Sequence, residues 1–345
     1  MNYTFPIIKM LASEAMAVED NRIRQSREIE NKIAELCERH NVEGVFTLTD
    51  TGVAPLVNEL LAGVPRLAVE AGEGSKSVSG LEKVWHFLTE GGALRRSVLV
   101  NIGGGMVSDL GGFAAATFKR GIGCINVPTT LLAAVDASIG GKTGINFAGL
   151  KNEVGAFSLP WGVFPLTSVF DTLSEAEWLS GAGEAIKTGL LDSKELYDLA
   201  TSKAFLIERD PLVVREVVER CATFKERVVE KDFREGGMRK ILNLGHTAGH
   251  AIESWKMGQG NPMPHGIAVA HGLRFALELS AERTGFPTRI LDDYNKVLEL
   301  YFPPLEMTAE EWKEAAALVV HDKKNMQKGG EPAWILLKDI GEPSI

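Results

Sequence analysis

Along the first half of the chain, short β-branched apolar runs alternate with longer amphipathic stretches. Residues 44–48, 66–69, 97–102 and 125–127 each read as a strand, the third apolar enough to be covered on both faces. Between them, Val78, Leu81, Val84, Trp85 and Leu88 recur at helical spacing and predict a helix over 77–89. Strands alternating with helices predict a parallel α/β sheet, whose ligands gather at the carboxyl ends of its strands. Asp50, Glu73, Gly103 to Gly105, Thr129 and Thr130 all follow strand candidates and should converge on one crevice.

From about residue 174 the strand pattern gives way to a helical one. Helices are predicted over 175–191, 211–231, 246–255, 266–283 and 309–321, with one late β-like run at 333–337. The chain therefore divides, on this reading, into an α/β domain over 1–165 and a mainly helical domain over 166–345.

A length of 345 residues, 45% of them hydrophobic, supports two such cores. The net charge of −9 argues against a nucleic-acid partner, which calls for a basic face. Cys37, Cys124 and Cys221 are scattered and odd in number, which predicts neither a disulfide framework nor a thiolate metal site. No secretory signal is read at the start, and no run approaches the ~18 apolar residues of a membrane span. The expected location is the cytoplasm.

The turn at Gly103-Gly104-Gly105-Met106-Val107-Ser108-Asp109 follows a strand and opens a helix, where glycines and free amides suit a pyrophosphate. The G-x-G-x-x-G spacing is absent, so a plain tight turn is the competing reading. Asp50 could accept from a ribose or could cap a helix. Further on stand Asp136, Ser138, Gly140-Gly141-Lys142-Thr143 and Lys151-Asn152. The upstream glycine of a P-loop is missing, since position 136 is Asp and 137 is Ala, so a nucleoside-triphosphate site is set aside. The lysines and Asn152 form a polar segment suited to an anion, packed rather than solvated because apolar residues and glycines flank it.

Glu184 and Lys187 share one helical face, as a surface ion pair would. His246 and His250 lie one turn apart, and His265 opens another helix, so three of seven histidines fall within twenty residues. One glutamate with two histidines makes an open three-ligand centre of the kind used by catalytic zinc. Spacing pairs His246 with His250 and leaves His265 over. His321 reads as a core or surface histidine.

Taken in order, these segments resemble 3-dehydroquinate synthase. The resemblance rests on Gly103 to Gly105 with Asp109, Arg120-Gly121, residues 127–132, residues 136–143, Lys151-Asn152, residues 183–187, residues 243–250, His265-Gly266 and Asp322-Lys323-Lys324. It runs from about residue 44 to 340. It implies an α/β NAD-binding domain with a parallel sheet and an all-α metal-binding domain, with the active site between them.

It also implies a reaction, the conversion of 3-deoxy-D-arabino-heptulosonate 7-phosphate to 3-dehydroquinate and phosphate. NAD takes a hydride and later returns it. The transient ketone acidifies the neighbouring C–H, phosphate leaves by β-elimination, and after re-reduction and ring opening an internal aldol step closes the carbocycle.

By the same resemblance the metal ligands are Glu184, His246 and His265, with zinc expected and cobalt the alternative. That overrules the spacing pair and makes His250 a substrate or proton-transfer group. Lys142, Asn152, Asn243 and His250 would surround the phosphate and reacting hydroxyls, and Lys225 and Arg239 the carboxylate, with Lys187 among the cations of the site. Arg120 would reach the neighbouring subunit's site in a homodimer. Asp50, Glu73, Lys76, Gly103, Gly104, Gly105, Met106, Val107, Ser108, Asp109, Thr129, Thr130, Asp136, Lys142, Lys151, Val169, Phe170, Asp171 and Thr172 would bind NAD. Lys323 or Lys324 would also contact substrate.

Three departures are visible. Ser108 replaces a usual glycine, no proline precedes Lys151-Asn152, and the loop 254–264 looks long. Another sugar-phosphate cyclase or a metal-dependent NAD alcohol dehydrogenase are the alternatives. The basic set Arg120, Lys142, Lys187, Lys225 and Arg239 exceeds what a neutral alcohol needs.

Overall fold

The computed structural model describes the backbone of residues 5–319 and 334–344, with side chains over 21–318 and 334–344. His321, Asp322, Lys323 and Lys324 lie outside the described residues. The chain divides into two compact units, Met1–Leu173 and Ser174–Ile345.

The first unit opens with helix α1 (Phe5–Arg39), followed by β1 (Gly44–Asp50), β2 (Arg66–Val69), α2 (Val78–Glu90), β3 (Ser97–Gly103), α3 (Gly105–Thr117) and β4 (Gly123–Pro128). Next come β5 (Lys142–Phe147), β6 (Leu150–Phe157) and the short β7 (Gly162–Val163). Five strands pair in parallel in the order β2-β1-β3-β4-β7. All seven residues of β3 are buried, which explains its unbroken apolar run. Leu81, Val84 and Leu88 of α2 and Val107, Leu110 and Phe113 of α3 join Phe46, Leu48 and Leu99 in the core. Val78 does not belong to that face; at the first position of α2 it is 44% exposed.

From β1 the chain steps outward to β2, then returns past β1 to β3. The order of travel therefore reverses between β1 and β3, the point at which a parallel α/β sheet binds its ligands.

The segment read as polar and packed is an antiparallel hairpin. Thr143 pairs with Ala156 and Ile145 with Val154, before a bulge on β6 shifts the ladder to Phe147 and Leu150. A Cβ on Gly155 would stand 2.1 Å from the Thr143 carbonyl, so glycine here serves close strand approach. Ile145 is buried in the core, and the Asn146 amide donates to the Lys76 carbonyl at 2.9 Å.

The expected domain boundary at 165/166 lies eight residues before the division between the units. Residues 162–166 still belong to the sheet, since the Phe164 and Leu166 amides donate to the Asn126 and Pro128 carbonyls at 2.9 Å. Arg22 and Gln25 of α1 then hold the following turn through Asp171 at 2.9 Å and Thr167 Oγ1 at 3.0 Å.

The second unit starts at Ser174, whose capping box with Glu177 opens α4 (Glu175–Asp192). After it come α5 (Lys194–Ala200), α6 (Lys203–Leu206), α7 (Pro211–Lys231), α8 (His246–Gly258), α9 (His265–Thr284), α10 (Thr288–Tyr301) and α11 (Ala309–Val319). The strands β8 (Leu336–Leu337) and β9 (Pro343–Ser344) form a small antiparallel pair. Helix α8 runs to Gly258, so the loop expected over 254–264 is confined to 259–264. Every residue of α4 from Trp178 to Leu191 is buried, which places this helix in the middle of the unit. Its contact with α9 is close because both sides are glycine. A Cβ on Gly266 would meet the Ser180 carbonyl at 1.7 Å, and one on Gly183 would meet the Gly266 carbonyl at 2.0 Å.

Candidate active site

In the first unit, among the expected cofactor residues, Asp50, Gly103 and Thr129 stand at or just past the carboxyl ends of β1, β3 and β4. Asp50 ends β1 and is a turn residue as well, since its Oδ1 accepts from the Gly52 and Val53 amides at 2.9 and 3.0 Å. Lys76 is buried and joins Asp109 Oδ2 at 2.5 Å and Glu73 Oε1 at 3.8 Å. Gly104 caps α3 in an extended conformation with no side-chain cap, leaving the first amides of α3, at Gly105, Met106 and Val107, directed out of the helix end. The Val107 side chain belongs to the core, so only its backbone is available. A Cβ on Gly103 would stand 2.5 Å from Val107 Cγ2, so close packing explains that glycine. Ser108 is buried and its hydroxyl donates back to the Gly104 carbonyl at 3.3 Å, which keeps it out of the turn.

The Thr129 amide donates to the Gly103 carbonyl at 3.0 Å, and its buried hydroxyl has no hydrogen-bond partner among the described residues. Thr130 Oγ1 accepts from the Ala133 amide at 3.2 Å. Asp136 follows in a π-helical turn, Ala133–Ala137, a local form often found at functional positions. This turn is anchored from below: Asn126 donates to the Ser138 carbonyl and accepts from Asn101, both at 2.9 Å.

Lys142, Lys151 and Asn152 are exposed on the hairpin, and Asn152 takes a left-handed φ of 54° at the bulge. Val169 and Phe170 are core side chains, Asp171 pairs with Arg22, and Thr172 donates to the Val169 carbonyl. Arg120 is exposed after α3, and it and Lys119 both have positive φ, 70° and 48°.

The second unit holds a dense ionisable cluster. Glu184 and Lys187 are not a surface pair: their side chains are 0% and 1% exposed, with Oε2 2.5 Å from Nζ. Glu184 Oε1 lies 3.6 Å from His246 Nε2 and 3.2 Å from His265 Nε2. Ring nitrogens of His246, His250 and His265 all lie within 4.8 Å of one another. The spare histidine of the spacing argument thus reaches the centre from another helix, through the glycine contact of α4 with α9.

Burial alone would raise the Glu184 carboxyl, but Lys187, His246 and His265 together hold it well below the usual carboxylate range. Burial, reinforced by Lys187, pushes His246 down to about 3 against the pull of Glu184. Burial also opposes a charge on His265, yet its hydrogen bonds to Glu184 and Glu253 lift it to about 10. Carboxylates that hold a proton on His265 so firmly would equally favour a dication. Glu184 Oε1 lies within 3.6 Å of both Nε2 atoms, and one glutamate with imidazoles is a donor set that zinc accepts. The residues therefore fit a divalent metal.

The same unit carries Lys225, buried on α7, and Arg239, 1% exposed. Arg239 Nη1 donates to the Phe233 carbonyl at 2.6 Å, and its amide to Asp232 Oδ2 at 2.9 Å. Asp232 also accepts from the Gly236 and Gly237 amides, and these bonds hold its carboxyl below the usual range. Asn243 Nδ2 donates to Glu235 Oε1 at 3.1 Å. Glu235 and Glu253 escaped the sequence reading. Glu235 gives no spacing signal, whereas Glu253 stands two turns after His246 and could have been found on that face.

Comparison with known proteins bears on both units. The family 3-dehydroquinate synthase N-terminal matches residues 66–180, and 3-dehydroquinate synthase C-terminal matches 181–325. A 3-dehydroquinate synthase of Parabacteroides distasonis is 41% identical, covering 92% of this chain and 91% of that protein. Solved relatives include 2-deoxy-scyllo-inosose synthase complexed with carbaglucose-6-phosphate, NAD+ and Co2+, at 25% identity and TM-score 0.75 over 92% of this chain and 89% of that one. A 2-epi-5-epi-valiolone synthase from Streptomyces hygroscopicus, with NAD+ and Zn2+ bound, shares the fold at 24% identity and TM-score 0.76, over 88% and 87% of the two chains.

Proposed function

The chain belongs to the 3-dehydroquinate synthase family, and from that premise we propose how its residues divide the family's work. The enzyme is a carbon–oxygen lyase of the shikimate pathway, converting 3-deoxy-D-arabino-heptulosonate 7-phosphate to 3-dehydroquinate and phosphate. It uses NAD and one divalent metal ion, as the two cyclase structures do. When bound, NAD supplies a hydride acceptor and donor, and the metal polarises the oxygen at the oxidised carbon.

Glu184, His246 and His265 would hold the metal. The observation that carries this assignment is the convergence of both Nε2 atoms on Glu184 Oε1, at 3.6 and 3.2 Å. Lys187 keeps Glu184 ionised. His250, whose ring nitrogen lies within 4.8 Å of theirs, is proposed for substrate contact or proton transfer. Lys225 and Arg239 are buried cations suited to the substrate carboxylate, and Asn243 is oriented by Glu235. Lys142 and Asn152 would meet the phosphate and hydroxyls.

The amides at the start of α3 would take the pyrophosphate of NAD. Around them Asp50, Glu73, Lys76, Thr129, Thr130, Asp136 and Lys151 supply polar contacts. The working unit is a homodimer, to which Arg120 contributes across the interface. Its exposed position and strained backbone support that reading. No helix of the described residues is long and apolar enough to cross a membrane, and the cytoplasm is the proposed location.

The test is phosphate release from 3-deoxy-D-arabino-heptulosonate 7-phosphate with NAD and zinc, followed together with absorbance of NADH. Phosphate without lasting NADH, abolished by a chelator, is expected. Accumulating NADH would instead indicate a dehydrogenase.

A further inference from the structure

Helix α8 presents His246, His250 and Glu253 at positions i, i+4 and i+7, hence on one face. The first two already have roles. Glu253 has none, although its Oε2 lies 3.0 Å from Nδ1 of His265, the first residue of α9. The opposite nitrogen of that ring faces Glu184 Oε1 at 3.2 Å. His265 is thus held between two carboxylates, one on each nitrogen.

We propose that Glu253 is a positioning residue that makes His265 a metal ligand. The inference rests on the metal reading above. A neutral imidazole carries a single N–H. An acceptor at Nδ1 keeps the proton there and leaves the Nε2 lone pair for a cation.

His246 follows the same rule by other means. Its Nδ1 lies 3.2 Å from the Leu244 carbonyl, and its Nε2 lies 3.6 Å from Glu184 Oε1. A backbone acceptor comes with the fold and cannot be lost by changing a side chain. His265 depends instead on a side chain from a different helix, across the connection 259–264. Its own side chain is 31% exposed, against 10% for His246, so less packing restrains the ring. Glu253, 15% exposed, supplies the missing restraint. It also adds a negative charge beside a centre where Lys187 already offsets Glu184, which favours a dication.

A merely structural α8–α9 contact would weaken zinc only in step with a loss of stability, so urea denaturation is read beside metal affinity. The test therefore reads metal affinity directly, on chelator-stripped full-length protein. Zinc is titrated in competition with a chromophoric chelator, and cobalt(II) absorption reports the coordination. Glu253→Ala is expected to bind zinc about 10- to 100-fold more weakly, with an altered cobalt spectrum. Glu253→Gln keeps an acceptor but not the charge, and should recover part of the affinity. NAD affinity should be unchanged in both.

Parent-like zinc affinity and cobalt spectrum in Glu253→Ala would overturn the proposal while leaving the metal reading intact. A parent protein that binds no zinc would overturn both. If Glu253→Ala does not fold, Glu253→Gln decides: weaker zinc binding with unchanged NAD binding supports the role, and parent-like zinc binding sinks it.

Discussion

Around the Gly104 cap of α3 the groups offered to a ligand are backbone amides and partly exposed side chains, whereas around Glu184 in α4 they are ionisable side chains in nearly full burial. The first arrangement follows from topology. Any parallel sheet with a reversal between β1 and β3 places loops and helix starts at that edge, and few of them must be desolvated. The second is held by mutual compensation, since each buried charge is tolerable only because its neighbours are present. Function and stability should therefore separate easily in the first unit and remain entangled in the second.

The most damaging test of that contrast is Lys187→Met. It leaves a carboxylate buried beside imidazoles without its cation, and should cost ~3–5 kcal/mol in urea denaturation of metal-free protein. Zinc should restore part of the loss by supplying positive charge. An effect under ~1 kcal/mol would show that the pair is worth no more than an exposed one.

Gly266→Ala should come next. Its Cβ has no room against the Ser180 carbonyl, so α9 must move from α4, at ~1–3 kcal/mol, and carry His265 away from Glu184. Zinc affinity should fall while NAD affinity holds. The mirror case is Gly104→Ala, whose Cβ meets the Thr130 side chain, with Cγ2 nearest at 3.2 Å, at a φ that alanine accepts. Stability should stay within ~1 kcal/mol of the parent. NAD affinity, measured by fluorescence titration, should drop about ten-fold through disturbance of one charge-assisted hydrogen bond. If each glycine variant weakened both ligands equally, the contrast would be wrong.

The core of the first unit offers the gentlest probe. Burial pushes the Cys124 thiol up to about 12, despite a hydrogen bond from Asn101. The unfolded chain would give up that proton near its ordinary value of 9.0, and the folded chain keeps it. Stability should thus decline as pH rises from about 9 toward 12, and Cys124→Ala should flatten that slope. In native protein a small alkylating agent should reach the half-buried Cys37 before Cys124 or Cys221. Early labelling of Cys124 would contradict this.

The parallel strands were legible because buried β-branched runs carry their own signature. So were α4, α7, α8, α9 and α11 of the second unit, where apolar periodicity persists for several turns, whereas α10 was not read. The hairpin was not, since Gly144 and Gly155 resemble flexible-loop residues until the partner strand is seen. Helix α1 was not recognised because what fixes its Arg22 and Gln25 lies more than a hundred residues away. Within the active centre, the glutamate and the three histidines could be named. Their burial could not, because an i, i+3 pair of charges looks the same on any helix. Spacing paired His246 with His250 and left His265 over, because His265 joins the cluster from another helix through a glycine contact.

Carrying His246, His250 and Glu253 along one stripe makes α8 a crankshaft: three throws on one shaft, sharing one angle. Rotating the shaft by one residue, about 100°, would swing a proposed ligand, a candidate proton carrier and the proposed brace of a second ligand out of register together. Such a mechanism has no half-engaged position, so damage to the seating of α8 should appear as a fraction of molecules wholly inactive rather than a population uniformly slowed.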